Sequence, residues 1–220
     1  MRLCQFTDLG RMGYAEALAL QRQLATLRQA SGIPDQLIFV EHPAVITLGR
    51  NAPEQNILAS PELLRSAGID VQVTDRGGDV TYHGPGQLVG YPILDLKEWK
   101  RDVTAYLRAL EEALILAIAE FGLRGERVDG MTGVWVEGAK VAAIGVHLSR
   151  WVTTHGFALN VDIDLDHFRY IIPCGLTRPV TSLRALRCDA SRKQVGAAVQ
   201  RHFASVFGLK ILDAARERIA

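Results

Sequence analysis

The chain has 220 residues, a length that favours one domain spanning residues 1–220. Hydrophobic residues make up 48% and charged residues 22%, which supports a sizeable core and excludes a disordered chain. The net charge of +1 lacks the basic excess typical of proteins that track nucleic-acid phosphates, so we expect no nucleic-acid partner.

The cysteine pattern and the lack of long apolar runs indicate the cellular compartment of the protein. Cys4, Cys174 and Cys188 are odd in number and have no metal-ligand spacing. The sequence has no charged-then-apolar leader and no apolar run near the roughly 18 residues that span a bilayer. We therefore expect a cytoplasmic protein with reduced thiols, no metal and no membrane association.

The first half of the chain predicts a strand at residues 2–6 and then an amphipathic helix at 13–30. Two β-branched runs, 36–40 and 44–48, predict strands that are separated at Pro43. A short helix at 61–67 and a strand at 71–74 follow. The strand leads into a glycine-rich segment, residues 76–90, and extended structure resumes at 91–94.

The second half predicts a long helix at 103–121, capped by Asp102 and ended by Gly122. Strands are expected at 133–136, 140–148 and 155–161, and a last helix at 191–207. Residues 209–212 are expected to form an edge strand. This irregular interleaving predicts an α+β (mixed α/β) fold whose mixed sheet is largely antiparallel and is packed with helices.

Residues 76–87 carry the densest chemical signal, Arg-Gly-Gly-Asp-Val-Thr-Tyr-His-Gly-Pro-Gly-Gln. Four glycines let the backbone approach a ligand closely, and the residues beside them add donors and an aromatic ring. An elaborate turn between strands is the simpler interpretation. The concentration of functional groups favours a binding loop. It is not a P-loop, because the Gly-Lys-Ser/Thr ending is absent.

Lys140 and Cys174 are the candidate reactive side chains. Lys140 is the only charged residue in a small-apolar strand, although a lysine just after a turn is more often solvated. Cys174 stands between Pro173 and Gly175 at the end of an apolar run, whereas most cysteines are inert buried residues. In the strand at 155–161, small residues alternate with larger ones and are expected to line a narrow slot.

Taken in order, four segments resemble the lipoyl(octanoyl) transferase family. They are the block at 76–87, Lys-Val-Ala-Ala-Ile-Gly-Val at 140–146, His-Gly-Phe-Ala-Leu-Asn-Val at 155–161, and Pro-Cys-Gly at 173–175. The resemblance covers nearly the whole chain and implies the fold of biotin and lipoate protein ligase catalytic domains.

The resemblance also implies roles for individual residues. Cys174 would carry an acyl thioester, and Lys140 would tune its ionisation. No cofactor is implied, because a thioester donor is already activated. The implied substrate contacts are Arg76, Gly77, Gly78, Asp79, Val80, Thr81, Tyr82, His83, Ala143, Ile144, Gly145, Gly156, Phe157 and Ala158.

The implied reaction moves an octanoyl (or lipoyl) group from acyl-carrier protein to a lysine on lipoyl domains. The acceptors would be the lipoyl domains of 2-oxoacid dehydrogenases and the glycine-cleavage H protein, and a monomer suits an enzyme that docks two protein partners in turn. The alternatives are an ATP-dependent lipoate or biotin ligase, a non-catalytic binding module of the same fold, and a cysteine hydrolase that uses His83, His147 or His155 as base.

Overall fold

The computed structural model describes residues 1–172 and 179–213. The helices are α1 (Tyr14–Gln29), α2 (Pro61–Ser66), α3 (Val103–Ala119) and α4 (Arg192–Phe207). The strands are β1 (Arg2–Arg11), β2 (Asp35–Glu41), β3 (Val45–Leu48), β4 (Asp70–Val73), β5 (Val80–His83), β6 (Gln87–Ile93), β7 (Glu126–Val128), β8 (Met131–Val136), β9 (Ala139–Ser149), β10 (Val152–Asn160) and β11 (Leu209–Asp213).

Eight strands form one mixed sheet in the order β11-β1-β2-β6-β10-β9-β8-β7. β1 runs parallel to β11 and to β2, and the remaining neighbours are antiparallel. The predicted largely antiparallel sheet and the edge strand near residue 209 are therefore confirmed. A second sheet has three strands in the order β4-β3-β5, with β3 parallel to β4 and antiparallel to β5.

The main core lies between α3, α4 and one face of the large sheet. The side chain of Asp102 accepts a hydrogen bond from Ala105 N at the start of α3, and Ser191 with Gln194 forms a capping box at the start of α4. Each helix buries one apolar stripe, as the period of its sequence predicts. Both helices are therefore specified by signals within their own segments, the N-terminal cap and the apolar stripe.

The other face of the large sheet is covered by α1 and by the three-stranded sheet. α1 packs through Ala17 and Ala25 against β2, β6 and β10. The three-stranded sheet has its own apolar cluster, to which α2 contributes Leu64. The space between the two sheets is where a cavity forms.

Two expectations need correction, and one strand was not expected. The binding loop expected at 76–87 contains strand β5, and extended structure resumes at Gln87 rather than at residue 91, because β6 pairs from Gln87 onward. β1 continues to Arg11, since β2 supplies a parallel partner up to Glu41. β7 was not expected, and it forms through pairing with β8 rather than from a strong β pattern of its own.

No helix in the described part of the chain combines the length and apolar character needed to cross a membrane.

Candidate active site

A narrow cavity lies between the two sheets and is lined from both. β6, β9 and β10 form one wall, and the 76–79 loop with β5 forms the opposite wall. The cavity volume, counted as the space that the centre of a water molecule can occupy, is about 90 Å³. One buried water needs about 10–15 Å³ on the same measure. The cavity therefore has the size of a slot that admits a slender chain.

Fourteen of the fifteen sequence-predicted site residues that lie in the described ranges line this cavity, although they come from three separate segments. They are Arg76, Gly77, Gly78, Asp79, Val80, Thr81, His83, Lys140, Ala143, Ile144, Gly145, Gly156, Phe157 and Ala158.

Tyr82 is the exception among the described site residues. Its side chain is buried in the cluster of the three-stranded sheet, where its ring packs edge-on to Phe168. Its hydroxyl lies 2.7 Å from Nδ1 of His167. Neighbours along a strand point to opposite faces, so Tyr82 supports the small sheet while His83 lines the cavity.

The 76–79 loop is fixed against both sheets. The Arg76 guanidinium is buried and donates to Thr47 of β3, with Nη2 2.7 Å from the carbonyl oxygen and 3.0 Å from Oγ1. Gly77 N donates to Val146 O of β9 over 2.8 Å. Gly145 faces the loop so closely that a Cβ there would lie 2.8 Å from Gly77 O. Gly145 is therefore small because the loop backbone occupies the adjacent space.

Lys140 stands at the start of β9 and is half-buried. Its backbone N donates to Pro179 O over 2.8 Å, and its carbonyl oxygen accepts from Thr181 N over 2.9 Å. Its ammonium lies 4.9 Å from the centroid of the Trp135 ring, a geometry that favours a cation. Lys140 is thus held in the cavity wall by the chain that follows residue 178.

Cys174 lies outside the described residues, as does the rest of 173–178. The residues on both sides of this segment are described. Ile172 N donates to Asn56 O over 2.8 Å, and Asn56 Nδ2 donates to Asp79 of the cavity wall over 2.7 Å. On the other side, Val180 itself lines the cavity.

Buried polar side chains connect His83 to the Lys140 strand. Gln87 Nε2 donates to Asn160 Oδ1 over 2.9 Å, and Asn160 Nδ2 donates to Thr181 O over 2.9 Å. Gln87 therefore presents Oε1 to His83 Nδ1, which lies 2.7 Å away and must donate. Burial lowers the pKa of His83 to about 3. His83 is thus a neutral imidazole whose Nε2 carries the lone pair.

His155 also lines the cavity and has an unusual backbone, with φ 57°. Its N–H donates to Gln21 Oε1 over 2.7 Å, and its Nε2 lies 2.9 Å from Asp75 Oδ1. Burial lowers the pKa of His155, although hydrogen bonding to Asp75 acts in the opposite direction. Contacts outside β10 therefore hold this residue in place.

Sequence reasoning missed part of the lining because the strand in the glycine-rich segment was not recognised. Residues at alternate positions of β6 share a face, so recognising that strand would have predicted several of them. The lining residues that were not predicted as substrate contacts include Tyr14, Gln87, Val89, Tyr91, Thr132, Asn160 and Val180.

Within residues 1–172 and 179–213, no three His, Cys, Asp or Glu side chains come together in a way that could hold a metal ion.

Comparison with known proteins identifies the family. The family model of the lipoyl protein ligase A/B catalytic domain matches residues 13–204. An octanoyltransferase of Solibacter usitatus is 57% identical over 215 residues, which are 98% of each chain. The chain belongs to the octanoyltransferase family. This membership confirms the acyltransferase activity that the four motifs predicted, octanoyl transfer in lipoate biosynthesis.

Solved structures confirm the fold predicted for this octanoyltransferase family member. The bipartite lipoate protein ligase of Thermoplasma acidophilum superposes with a TM-score of 0.77. It is 17% identical, and the match covers 96% of this chain and 86% of that one. Biotin protein ligase of Aquifex aeolicus gives a TM-score of 0.54 at 15% identity, covering 93% and 69% of the two chains. At such identities the likeness concerns the fold alone.

Proposed function

We propose that this chain moves an octanoyl (or lipoyl) group from acyl-carrier protein to a lipoyl-domain lysine, through a thioester on Cys174. Its acceptors are the lipoyl domains of 2-oxoacid dehydrogenases and the glycine-cleavage H protein. Residues 1–220 act as one catalytic domain, as a monomer in the cytoplasm. The reaction needs no metal and no nucleotide, because the donor thioester is already activated.

The arrangement around Lys140 carries the proposal. Pro179, five residues after Cys174 in the sequence, accepts a hydrogen bond from Lys140 N. Ile172, two residues before Cys174, is tied through Asn56 to Asp79 of the cavity wall. Both described flanks of the segment that contains the cysteine are therefore anchored to one cavity. This anchoring supports a meeting of the sulfur and the amine there.

The first half-reaction attaches the acyl group to the enzyme. An ammonium at Lys140 favours the Cys174 thiolate by charge attraction. The thiolate attacks the donor carbonyl carbon and forms a new carbon–sulfur bond. The old carbon–sulfur bond then breaks, and the departing thiol of the carrier takes a proton from Lys140, which is left as a neutral amine.

The second half-reaction forms the amide. The lysine amine of the lipoyl domain attacks the acyl carbon, and neutral Lys140 accepts a proton from it. The carbon–sulfur bond to Cys174 breaks and restores the thiolate beside an ammonium. Lys140 thereby serves first as acid and then as base. The Cys174 thiolate and the Lys140 ammonium are both restored at the end of the cycle.

The other two cysteines are poorly suited to this role. Burial raises the pKa of the Cys4 thiol, which lies in the main core and is fully buried. Cys188 packs against the same core. Neither of these two residues lines the cavity. Their settings support the assignment of the nucleophile to Cys174.

A histidine base, as in a cysteine hydrolase, is not favoured by the environment of the cavity. Burial lowers the pKa of both His83 and His155, so each accepts a proton poorly near neutral pH. Lys140 is the remaining basic group for which the described residues offer both a position in the cavity and a cation-favouring contact.

The proposal is tested by measuring transfer to a purified lipoyl domain from two donors. Octanoyl-acyl-carrier protein should support transfer, whereas free octanoate with ATP should not. In Lys140→Ala, turnover should fall roughly 100- to 10,000-fold while the fold is retained, because general acid–base catalysis is worth that factor. Lys193→Ala, at an exposed position of α4, is the matched control. Transfer that depends on ATP, or unaltered turnover in Lys140→Ala, would refute the proposal.

A further inference from the structure

Strand β6 contributes alternate residues to the cavity lining: Gln87, Val89 and Tyr91. The strand register places Asn160 opposite Gln87 and Ala158 opposite Val89. Asn160 is also linked through the carbonyl of Thr181 to the Lys140 backbone, so the Gln87 end is the reacting end. Tyr91 therefore lies on β6 at the end away from Lys140.

Tyr91 is held in one position by a buried histidine. His42 Nδ1 lies 2.8 Å from Met12 O, and a carbonyl oxygen can only accept, so Nδ1 is the protonated nitrogen. Burial lowers the pKa of His42, which keeps the ring neutral and leaves a lone pair on Nε2. The Tyr91 hydroxyl, 2.7 Å from Nε2, must then donate to it. This chain of hydrogen bonds points the hydroxyl away from the cavity.

Tyr14 stands beside Tyr91 and is oriented in a similar way. Its hydroxyl donates to Thr74 Oγ1 over 3.2 Å, and its ring lies 5.3 Å from the ring of His42. Both tyrosines are buried, and both line the cavity. Because each hydroxyl is satisfied by a protein partner, the two side chains present mainly ring carbon to the slot. The two rings thus give this part of the cavity wall an apolar surface.

We propose that Tyr91, supported by Tyr14, closes the far end of the acyl slot and determines the length of the chain that this enzyme accepts. This inference rests on the proposed function.

The dimensions agree with a chain of eight carbons. Four residues of strand separate the Gln87 row from the Tyr91 row, which corresponds to about 13 Å. An extended octanoyl group has seven carbon–carbon bonds and spans roughly 9 Å, given that three backbone bonds span 3.8 Å. The tyrosine ring takes up part of the remainder. Several further methylenes would therefore meet the ring.

The test is a competition in which the enzyme receives equal amounts of octanoyl- and dodecanoyl-acyl-carrier protein with a lipoyl domain. Mass spectrometry of the acceptor gives the ratio of the two products. In Tyr91→Leu the dodecanoyl share should rise at least about tenfold, because burying each extra methylene is worth about a factor of four. Tyr91→Phe keeps the ring and should keep the wild-type ratio. In a second competition, between equal amounts of hexanoyl- and octanoyl-acyl-carrier protein, Tyr91→Trp should raise the hexanoyl share.

Tyr106→Leu is the matched control, because Tyr106 is also fully buried but packs in the main core on the other face of the sheet. It should lower stability without changing the product ratio. Among the variants that fold, an unchanged octanoyl-to-dodecanoyl ratio in Tyr91→Leu or an unchanged hexanoyl-to-octanoyl ratio in Tyr91→Trp would overturn the inference. Wild-type enzyme that uses dodecanoyl as readily as octanoyl donor would overturn it even if neither variant folds. Absence of product from every donor would instead refute the proposed function.

Discussion

Gly145→Ala gives a sharp test of how the 76–79 loop is held over the cavity. The added Cβ would lie 2.8 Å from Gly77 O, whereas ordinary contact begins at 3.4 Å, so strand and loop must separate by 0.6 Å. Neither side yields easily. The obstructing atom belongs to the backbone of the loop. The loop is also held by hydrogen bonds from Gly77 N to Val146 O and from the Arg76 side chain to Thr47 O.

Gly145→Ala should lower both the stability and the activity of the enzyme. Crowding a well-packed site lowers the free energy of unfolding by about 1–3 kcal/mol, which a shift of the urea midpoint reports. If the 76–79 loop binds substrate as proposed, displacing it by more than half an ångström should lower kcat/KM roughly 10- to 100-fold, since misplacement by about 1 Å costs about that much. Transfer from octanoyl-acyl-carrier protein, followed at several donor concentrations, measures the loss of activity.

Gly196→Ala is the matched control. Gly196 lies within α4, where the nearest atom to an added Cβ is on the Phe39 ring at 3.6 Å, an ordinary contact. Alanine is favoured over glycine inside a helix by about 0.8–1.0 kcal/mol, so this variant should be slightly stabilised and fully active. Gly145→Ala with wild-type stability and wild-type kcat/KM would refute the close packing described for the loop.

Three further predictions concern the slot and its polar supports. Ala158→Leu should shorten the preferred acyl chain, because Ala158 lines the slot opposite Val89; an unaltered chain-length profile would place the slot elsewhere. Asn160→Leu should lower the free energy of unfolding by about 1–3 kcal/mol, because Gln87 Nε2 keeps only its 3.4 Å contact with Tyr82 O and Thr181 O loses its donor; wild-type stability would argue against the buried network. Burial lowers the pKa of His83 from 6.5 to about 3, so the unfolded chain binds more protons between these values. Stability should therefore fall as the pH drops below about 6.5, and a urea midpoint constant from pH 7.5 to 4.5 would contradict a neutral buried His83.

The helices of the main core could be predicted from sequence because their signals are local. In α3, the apolar stripe and the Asp102 cap lie within the segment itself, and α4 has its capping box at Ser191. For the large sheet, the sequence predicted a mixed and largely antiparallel arrangement but not the order of the strands. Its order depends on pairings such as β1 with β11, which joins residues about two hundred positions apart and leaves no local signal.

The three-stranded sheet was not predicted for a different reason. Its strand β5 begins at Val80, separated from Gly77-Gly78 by one residue, and in the sequence these residues look like part of a loop. The pairing of β5 with β3 is a long-range property that glycine content does not reveal. The same omission explains Tyr82, which was grouped with its neighbours as a substrate contact. The alternation of a strand turns its side chain into the small-sheet cluster instead.

The residues that line the slot could be predicted best where the backbone itself is constrained. The motifs singled out Gly77 and Gly145, which now prove to lie against each other across the cavity wall. They gave no indication of Tyr91, which acts through its position and its partner His42 rather than through a recognisable pattern. Side chains that shape a cavity from several strands become apparent only when the register is known.

The claim on which the account depends is that Cys174 carries the acyl group. Intact-mass analysis after mixing the enzyme with octanoyl-acyl-carrier protein, without an acceptor, tests it directly. Wild-type protein should gain the mass of one octanoyl group, bound as a thioester that hydroxylamine removes, and Cys174→Ser should accumulate no thioester. A thioester of the same mass on folded Cys174→Ser, carried by Cys4 or Cys188, would contradict the account.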